Sequence, residues 1–303
     1  MFSAHVLAHL ESDLGVSIRD TFDLITGTST GGIIALGLGA GLRPAEIASH
    51  YVELTKAVFP RSRRRMWRSP ARLLGAKYQQ APLRGALEAI LGDRLLYDSD
   101  KRLVIPSYDV QAGGVHIFKT PHHPRLRRDW KHQMVDVGLA TSAAPTYLPV
   151  AKVGGHRLVD GGVWANNPSV VGIAEAVSVL GVPLEAVRVL NVGTLETVGP
   201  KPRSIDRGGA AAWARPGLSM LVEAASRGAQ GLAEHLVTPR RFSRIDALVP
   251  EGTYALDDAD PEELSGWAAG ASRHFSPEFT ERFGGHTALS YKPAFDKPAD
   301  GGF

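Results

Sequence analysis

Residues 22–32 read Phe-Asp-Leu-Ile-Thr-Gly-Thr-Ser-Thr-Gly-Gly, and this stretch constrains the chain more than any other. Phe22–Thr26 predicts a short buried strand, and Thr30–Leu38 a buried helix rich in small residues. Between them, Gly27-Thr28-Ser29-Thr30-Gly31 fits the G-x-S-x-G pattern of a nucleophile elbow. A strand that turns so abruptly into a helix leaves no room for a Cβ at the flanking positions, hence glycine at 27 and 31. The turn lifts the Ser29 hydroxyl off the sheet. It also points the first free helix N–H groups, that of Thr30 among them, at any oxyanion formed there. A phosphate-binding turn is the competing reading. It is weakened because the chain has neither the lysine of G-x-x-x-x-G-K-[ST] nor a G-x-G-x-x-G, and Gly37–Gly41 falls at a helix end.

A serine hydroxyl needs a base. In an α/β-hydrolase several strands precede the elbow and a histidine serves; here the region before Ser29 holds one helix and one strand. His122 and His123 lie among prolines and arginines, and His274 and His286 have no neighbouring acid; all four read as surface or interfacial side chains, which leaves a Ser-His-Asp esterase as a lesser alternative. Asp160 is the better base: it ends a strand, Arg157–Val159, and Gly161 and Gly162 let backbone pack close beside its carboxylate.

Elsewhere strands and helices alternate. Helical periodicity marks residues 3–14 (Val6, Leu7, Leu10, Leu14), Pro44–Val58 (Ile47, Tyr51, Leu54, Val58), Val135–Ala144 and Leu218–Leu236 (Leu221, Val222, Ala225, Ala229, Leu232). Asn167 is placed to cap a helix starting at Pro168. Leu103–Val110, Val115–Phe118 and Val187–Val192 read as strands, the first two joined by Ala112-Gly113-Gly114. The pattern predicts one α/β unit with a mostly parallel sheet covered on both faces.

Composition narrows the chemistry. Across 303 residues there is no cysteine, which excludes disulfides, thiolate catalysis and cysteine-based metal sites. With 44% hydrophobic and 21% charged residues the chain has ample apolar surface for a core. The longest apolar stretch, Gly31–Leu42, falls short of the roughly 20 residues a spanning helix needs, and no signal peptide pattern opens the chain, so a cytoplasmic protein is expected. Net charge is only +3, yet Arg61, Arg63, Arg64, Arg65, Arg68, Arg72 and Lys77 cluster in segment 61–77 around Met66-Trp67. Lys119, Arg125, Arg127, Arg128 and Lys131 cluster in segment 119–131 beside Trp130, while residues 251–270 are acidic. Basic residues with tryptophans suit peripheral docking on an anionic bilayer. Nucleic acid, the competing partner, is not expected, because the elbow has no use for it.

Three blocks together resemble the patatin-like phospholipases: Phe22–Gly32, Ala140-Thr-Ser-Ala-Ala-Pro-Thr-Tyr147 and Val159-Asp-Gly-Gly-Val-Trp-Ala-Asn-Asn-Pro168. The resemblance implies a three-layer α/β/α sandwich and a phospholipid acyl hydrolase using a serine–aspartate dyad, with Ser29 as nucleophile and Asp160 as base and no metal or cofactor. It covers residues 3 to about 195. Residues 1–199 are thus read as the catalytic core and 200–303 as a helical extension packed on it. The family's first strand and its D-G-G-G-x-R-G oxyanion loop have no counterpart, residues 2–14 resembling the helix that follows them. This implies a start internal to a longer protein, or else a silent relative that binds lipid or a partner. The chain also resembles bacterial members switched on by cyclic nucleotides in antiphage defence, though no residue marks a nucleotide site.

Overall fold

The computed structural model describes residues 1–58, 75–198, 206, 208–209, 216–250 and 261–297. Positions 61–74 of the basic segment, Met66 and Trp67 with them, and acidic Asp257, Asp258 and Asp260 lie outside the described residues.

The chain begins with α1 (Phe2–Leu14) and a single-turn α2 (Ile18–Thr21), and then enters β1 (Leu24–Thr26) and α3 (Thr30–Gly39). Next come α4 (Pro44–Val58), α5 (Gln80–Leu91), the hairpin β2 (Arg102–Asp109) and β3 (Gly114–Lys119), and α6 (Met134–Thr141). A second hairpin, β4 (Ala151–Val153) and β5 (His156–Asp160), leads into α7 (Gly162–Ala165) and α8 (Ser169–Ser178). The last elements are β6 (Val189–Val198), α9 (Pro216–Val237), β7 (Phe242–Pro250) and α10 (Pro261–Arg282). The periodic stripes locate most of these elements to within a few residues, and Ile47, Tyr51, Leu54 and Val58 of α4 are all buried as the stripe requires.

The expectation of a mostly parallel sheet is corrected. β1–β5 form one mixed sheet flanked by helices, in which only β1 and β2 run parallel. The β2–β3 and β4–β5 pairs are hairpins, whose connections are far too short for a parallel crossover. β6 and β7 form a separate parallel pair, so region 200–303 is not purely helical: it supplies β7.

One feature of the sheet places the site. β3 occupies one edge of β2 from Val104 to Asp109. β1 and β5 therefore share the other edge, end to end: Thr26 lies opposite Val104, and Asp160 opposite Ser107. β1 runs parallel to β2 and β5 antiparallel, so their C-terminal ends point at each other across a gap of two residues of β2, three residue steps or about 10 Å. Ile105 and Pro106 form the floor of that gap. Proline suits it, having no N–H to leave unpaired where neither strand reaches.

The principal core gathers α1, α3, α4, α5 and α6 over this sheet with Leu36, Leu87, Leu103, Ile105, Phe118 and Leu139 fully buried, and α10 joins it through Phe275, Phe279 and Phe283 against α1. A smaller cluster links α8, α9 and β7 through Ile173, Ala233, Val237 and Phe242. Leu36→Ala, which empties a fully buried site beneath the elbow helix, is expected to cost about 2–5 kcal/mol, read from urea unfolding.

Candidate active site

The elbow has the geometry its sequence requires. Ser29 is one of three described non-glycine residues with positive φ, at φ 56° and ψ −123°, a strained conformation held by what surrounds it. A Cβ on Gly27 would lie 2.1 Å from the Gly31 carbonyl oxygen, so only glycine fits there. The second obligatory glycine is not the expected one: a Cβ on Gly31 meets nothing within 4 Å, whereas one on Gly32 would lie 2.7 Å from Thr141 Cγ2. The helix start packs against α6 through Gly32, while Gly31 borders open space.

Thr141 is the residue that sequence reasoning left without a role. Its hydroxyl donates to the Pro106 carbonyl (2.7 Å) and accepts from the Ser29 N–H (3.0 Å), clamping the elbow to the floor of the gap. Its presence in the Ala140–Tyr147 block was the available signal. The Thr28 hydroxyl donates to Ala165 O (2.6 Å), tying the elbow to the turn after Asp160, and the Tyr51 hydroxyl donates to Thr30 O (3.0 Å).

From the other side, β5 delivers Asp160, whose N–H donates to Ala143 O (3.0 Å). Gly161 passes directly over Pro106: a Cβ there would sit 2.4 Å from its carbonyl oxygen. The Gly162 N–H donates to Asp160 Oδ1 (2.7 Å), and Trp164 Nε1 donates to Ser107 O (2.9 Å), locking the turn onto β2. The Asp160 carboxyl is 5% exposed, and burial pushes its pKa up to about 6, against the lowering effect of the neighbouring Ser29 side chain and the Gly162 N–H. Of the expected oxyanion donors, Gly31 is engaged, its N–H bonded to Thr28 O (2.9 Å). The Thr30 N–H opens the helix and has no acceptor among the described residues.

The histidines stand apart. His122 is not a surface residue: it is buried, bonded to Thr120 Oγ1 and Glu175 Oε1 (both 2.9 Å). His286 does have an acid, Asp23 at 2.8 Å, but Asp23 precedes β1 whereas Ser29 follows it, which puts the pair at the opposite end of the strand. His156 bonds Asp109 (2.7 Å), and none of these three is bonded to Ser29.

The 119–131 segment also differs from expectation. Trp130 is 9% exposed, packed edge-on against Tyr97 and Phe295, so it does not face a bilayer. Lys119 pairs with Glu175, Arg128 with Asp129, and the Arg127 guanidinium lies over Phe295.

Ser29 opens onto a cleft of about 1050 Å³. Its walls are the outer edge of β1 and residues 187–194 of β6 and its lead-in, with Phe2, Ile34, Ile173 and Phe283 closing the apolar interior. Asn167, expected as a helix cap, accepts from the Ser169 N–H (3.1 Å) and from Asn191 Nδ2 (2.8 Å), joining the turn after Asp160 to β6.

A mixed sheet flanked by helices, with the strand–elbow–helix turn at Ser29 facing the turn after Asp160, defines the class of protein as α/β. Residues 1–171 match the family model described as patatin-like phospholipase, and the chain belongs to that family. It is 39% identical to a cGAMP-activated phospholipase of Pseudomonas aeruginosa over 69% of this chain and 63% of that protein. It is 32% identical to one from Vibrio cholerae over 93% of this chain and 88% of that protein. Patatin-like protein 1 of Oryza sativa subsp. indica is 32% identical over 56% of this chain and 46% of its own length. Two of the cGAMP-activated phospholipases are thus matched over less than two thirds of their length, 63% and 58%. No helix among the described residues is long and apolar enough to cross a membrane.

Gly27→Ala is expected to lower Tm sharply or prevent folding, whereas Gly31→Ala leaves Tm within a few degrees. Thermal unfolding of the two purified variants checks the difference.

Proposed function

We propose that the chain is a phospholipase A-type acyl hydrolase that cleaves ester bonds of membrane phospholipids through Ser29 and Asp160. The observation that carries this reading is that the fold brings the elbow serine beside a buried, desolvated carboxylate, with no described histidine bonded to either. Ionised Asp160 takes the Ser29 proton as Oγ attacks the ester carbonyl. The oxyanion rests against the Thr30 N–H, and the tetrahedral adduct collapses to an acyl-enzyme as Asp160 returns the proton to the leaving alcohol. Water then repeats the sequence on the acyl-enzyme, Asp160 again taking and returning the proton. Gly27, Gly161 and Gly162 serve by allowing the close approach of the two turns. The cGAMP-activated relatives support a cyclic dinucleotide as the activator of this chain too. A purified chain that turns over vesicle phospholipid is then expected to do so faster with cGAMP added.

The cleft supports a second element of the proposal. The edges of β1 and β6 that line it have no strand partner among the described residues. An extended strand lying between them would join the two sheets into one three-layer α/β/α sandwich and satisfy both edges. A loop following that strand would add N–H donors beside Thr30. A missing oxyanion donor costs about 10²–10³ in rate. A silent relative that binds lipid or a partner in the same cleft is the second reading.

Fluorophosphonate labelling separates the two. A label lost in Ser29→Ala is the expected result; no label on the wild-type chain would favour the silent reading. Asp160→Asn has two expected effects. It abolishes turnover. It also stabilises the fold at neutral pH, by a sign that follows from the raised pKa. The folded state holds this proton above the ordinary 3.8, so ionisation costs stability as pH rises from about 4 to about 6 and the full cost remains above that. That cost is on the order of 3 kcal/mol. Urea unfolding of wild type and variant across this pH range reads it, and kcat/KM of the wild type is expected to fall below pH about 6 as the base is protonated.

A further inference from the structure

The periodic stripe of α9 comprises Leu221, Val222, Ala225, Ala229 and Leu232, and the structure turns Val222 inward but leaves Leu221 and Leu232 exposed. Val222, Ser226, Ala233 and Val237 face the protein, against α7 and α8, with Ala233 and Val237 fully buried. Leu221 is 68% exposed, Leu232 60% and Leu236 42%. At 100° per residue these three fall within one narrow sector with Ala224, Ala225 and Gly228, and His235 is its one titratable member. The charged residues Glu223, Arg227 and Glu234 lie on a different flank. The helix therefore carries a second apolar face, about 100° around from the protein-facing one, and its leucines are exposed.

We propose that the outward face of α9 is the membrane-docking surface of this protein, and that a phospholipid bilayer covers Leu221, Leu232 and Leu236. The proposal rests on the phospholipase reading above, because it places the substrate in a bilayer beside the helix. Two further observations point the same way. α9 itself lines the cleft that holds Ser29, through Val222, Glu223, Ser226 and Arg227 on sides turned away from the leucines. α9 also packs on α7, the turn that follows Asp160. A bilayer lying on the leucine face has its lipids about one helix width from the cleft, with exposed Arg240, just past the helix end, placed for anionic headgroups. A second copy of the chain fits less well. From Leu221 to Leu236 the strip is roughly 22 Å long and about 10 Å wide, well short of the ~800 Å² per partner that a stable interface buries. An amphipathic helix lying in the interfacial plane needs no more than such a strip. The docking surface is thereby assigned to α9 and not to segment 119–131, whose Trp130 is buried although Arg125, Arg127, Arg128 and Lys131 are exposed.

The test compares wild type with the triple variant Leu221→Ser, Leu232→Ser, Leu236→Ser by cosedimentation with phosphatidylethanolamine–phosphatidylglycerol vesicles. The side chains are exposed, so circular dichroism and Tm are expected to stay as in wild type. Vesicle affinity is expected to fall at least about tenfold, and vesicle phospholipid hydrolysis with it, while turnover of a soluble short-chain ester is unchanged. Vesicle binding equal to wild type overturns the proposal. So does a wild-type dimer that the variant converts to monomer, which would assign the face to a second copy. If the wild-type chain hydrolyses neither substrate, the Ser29–Asp160 reading fails, and the vesicle-binding arm still decides the docking face by itself.

Discussion

The site depends on two strands meeting head to head along one edge of a third. Because β1 runs parallel to β2 and β5 antiparallel, the turns that leave them converge over Pro106. Nothing else in the chain needs to be long-range for Ser29 and Asp160 to meet. The demand falls on the turns: both must cross the gap with backbone packed on backbone, which is why Gly27 and Gly161 admit no side chain. Thr141 completes the arrangement, one hydroxyl holding the Pro106 carbonyl and the Ser29 N–H at once. Strain at Ser29 is sustained by this crowding, and the desolvation that raises the Asp160 pKa is its electrostatic consequence.

The same turns connect the site to the rest of the molecule. Thr28 binds the carbonyl of Ala165 after the aspartate, and Asn167 carries the connection on to Asn191 in β6, which in turn accepts from Arg244 in β7. The polar chain thus runs from the elbow into the second sheet, along the wall of the cleft. A ligand or strand entering there would act on the elbow through contacts already in place. α9 lies over this junction, so one helix borders the reacting groups, the cleft and solvent.

Much of this was legible in the sequence. The elbow, the Asp-Gly-Gly turn, the small-residue helix α3 and the stripes of α1 and α4 are local patterns, written in residues a few positions apart, and the structure places these elements where the patterns indicate. Elements without a strong pattern, α5, β4, β7 and α10, were not read. Direction of pairing was misjudged where alternation of strands and helices was given more weight than the short β2–β3 connection, although a hairpin turn implies antiparallel strands.

What the sequence determined by itself was the identity of the proposed reacting groups. A serine flanked by glycines between a strand and a helix, and an aspartate trailed by two glycines, are constrained by backbone sterics that operate within a few residues. Only the tertiary structure decided which surfaces those groups and their neighbours face. Burial is a property of what packs alongside, and residues distant in sequence supply it. So Trp130, beside four basic residues in the chain, is enclosed by Tyr97 and Phe295. His122 is sealed against Glu175, Gly31 borders open space where Gly32 meets Thr141, and Leu221 and Leu232 point to solvent from a helix that carries two apolar faces.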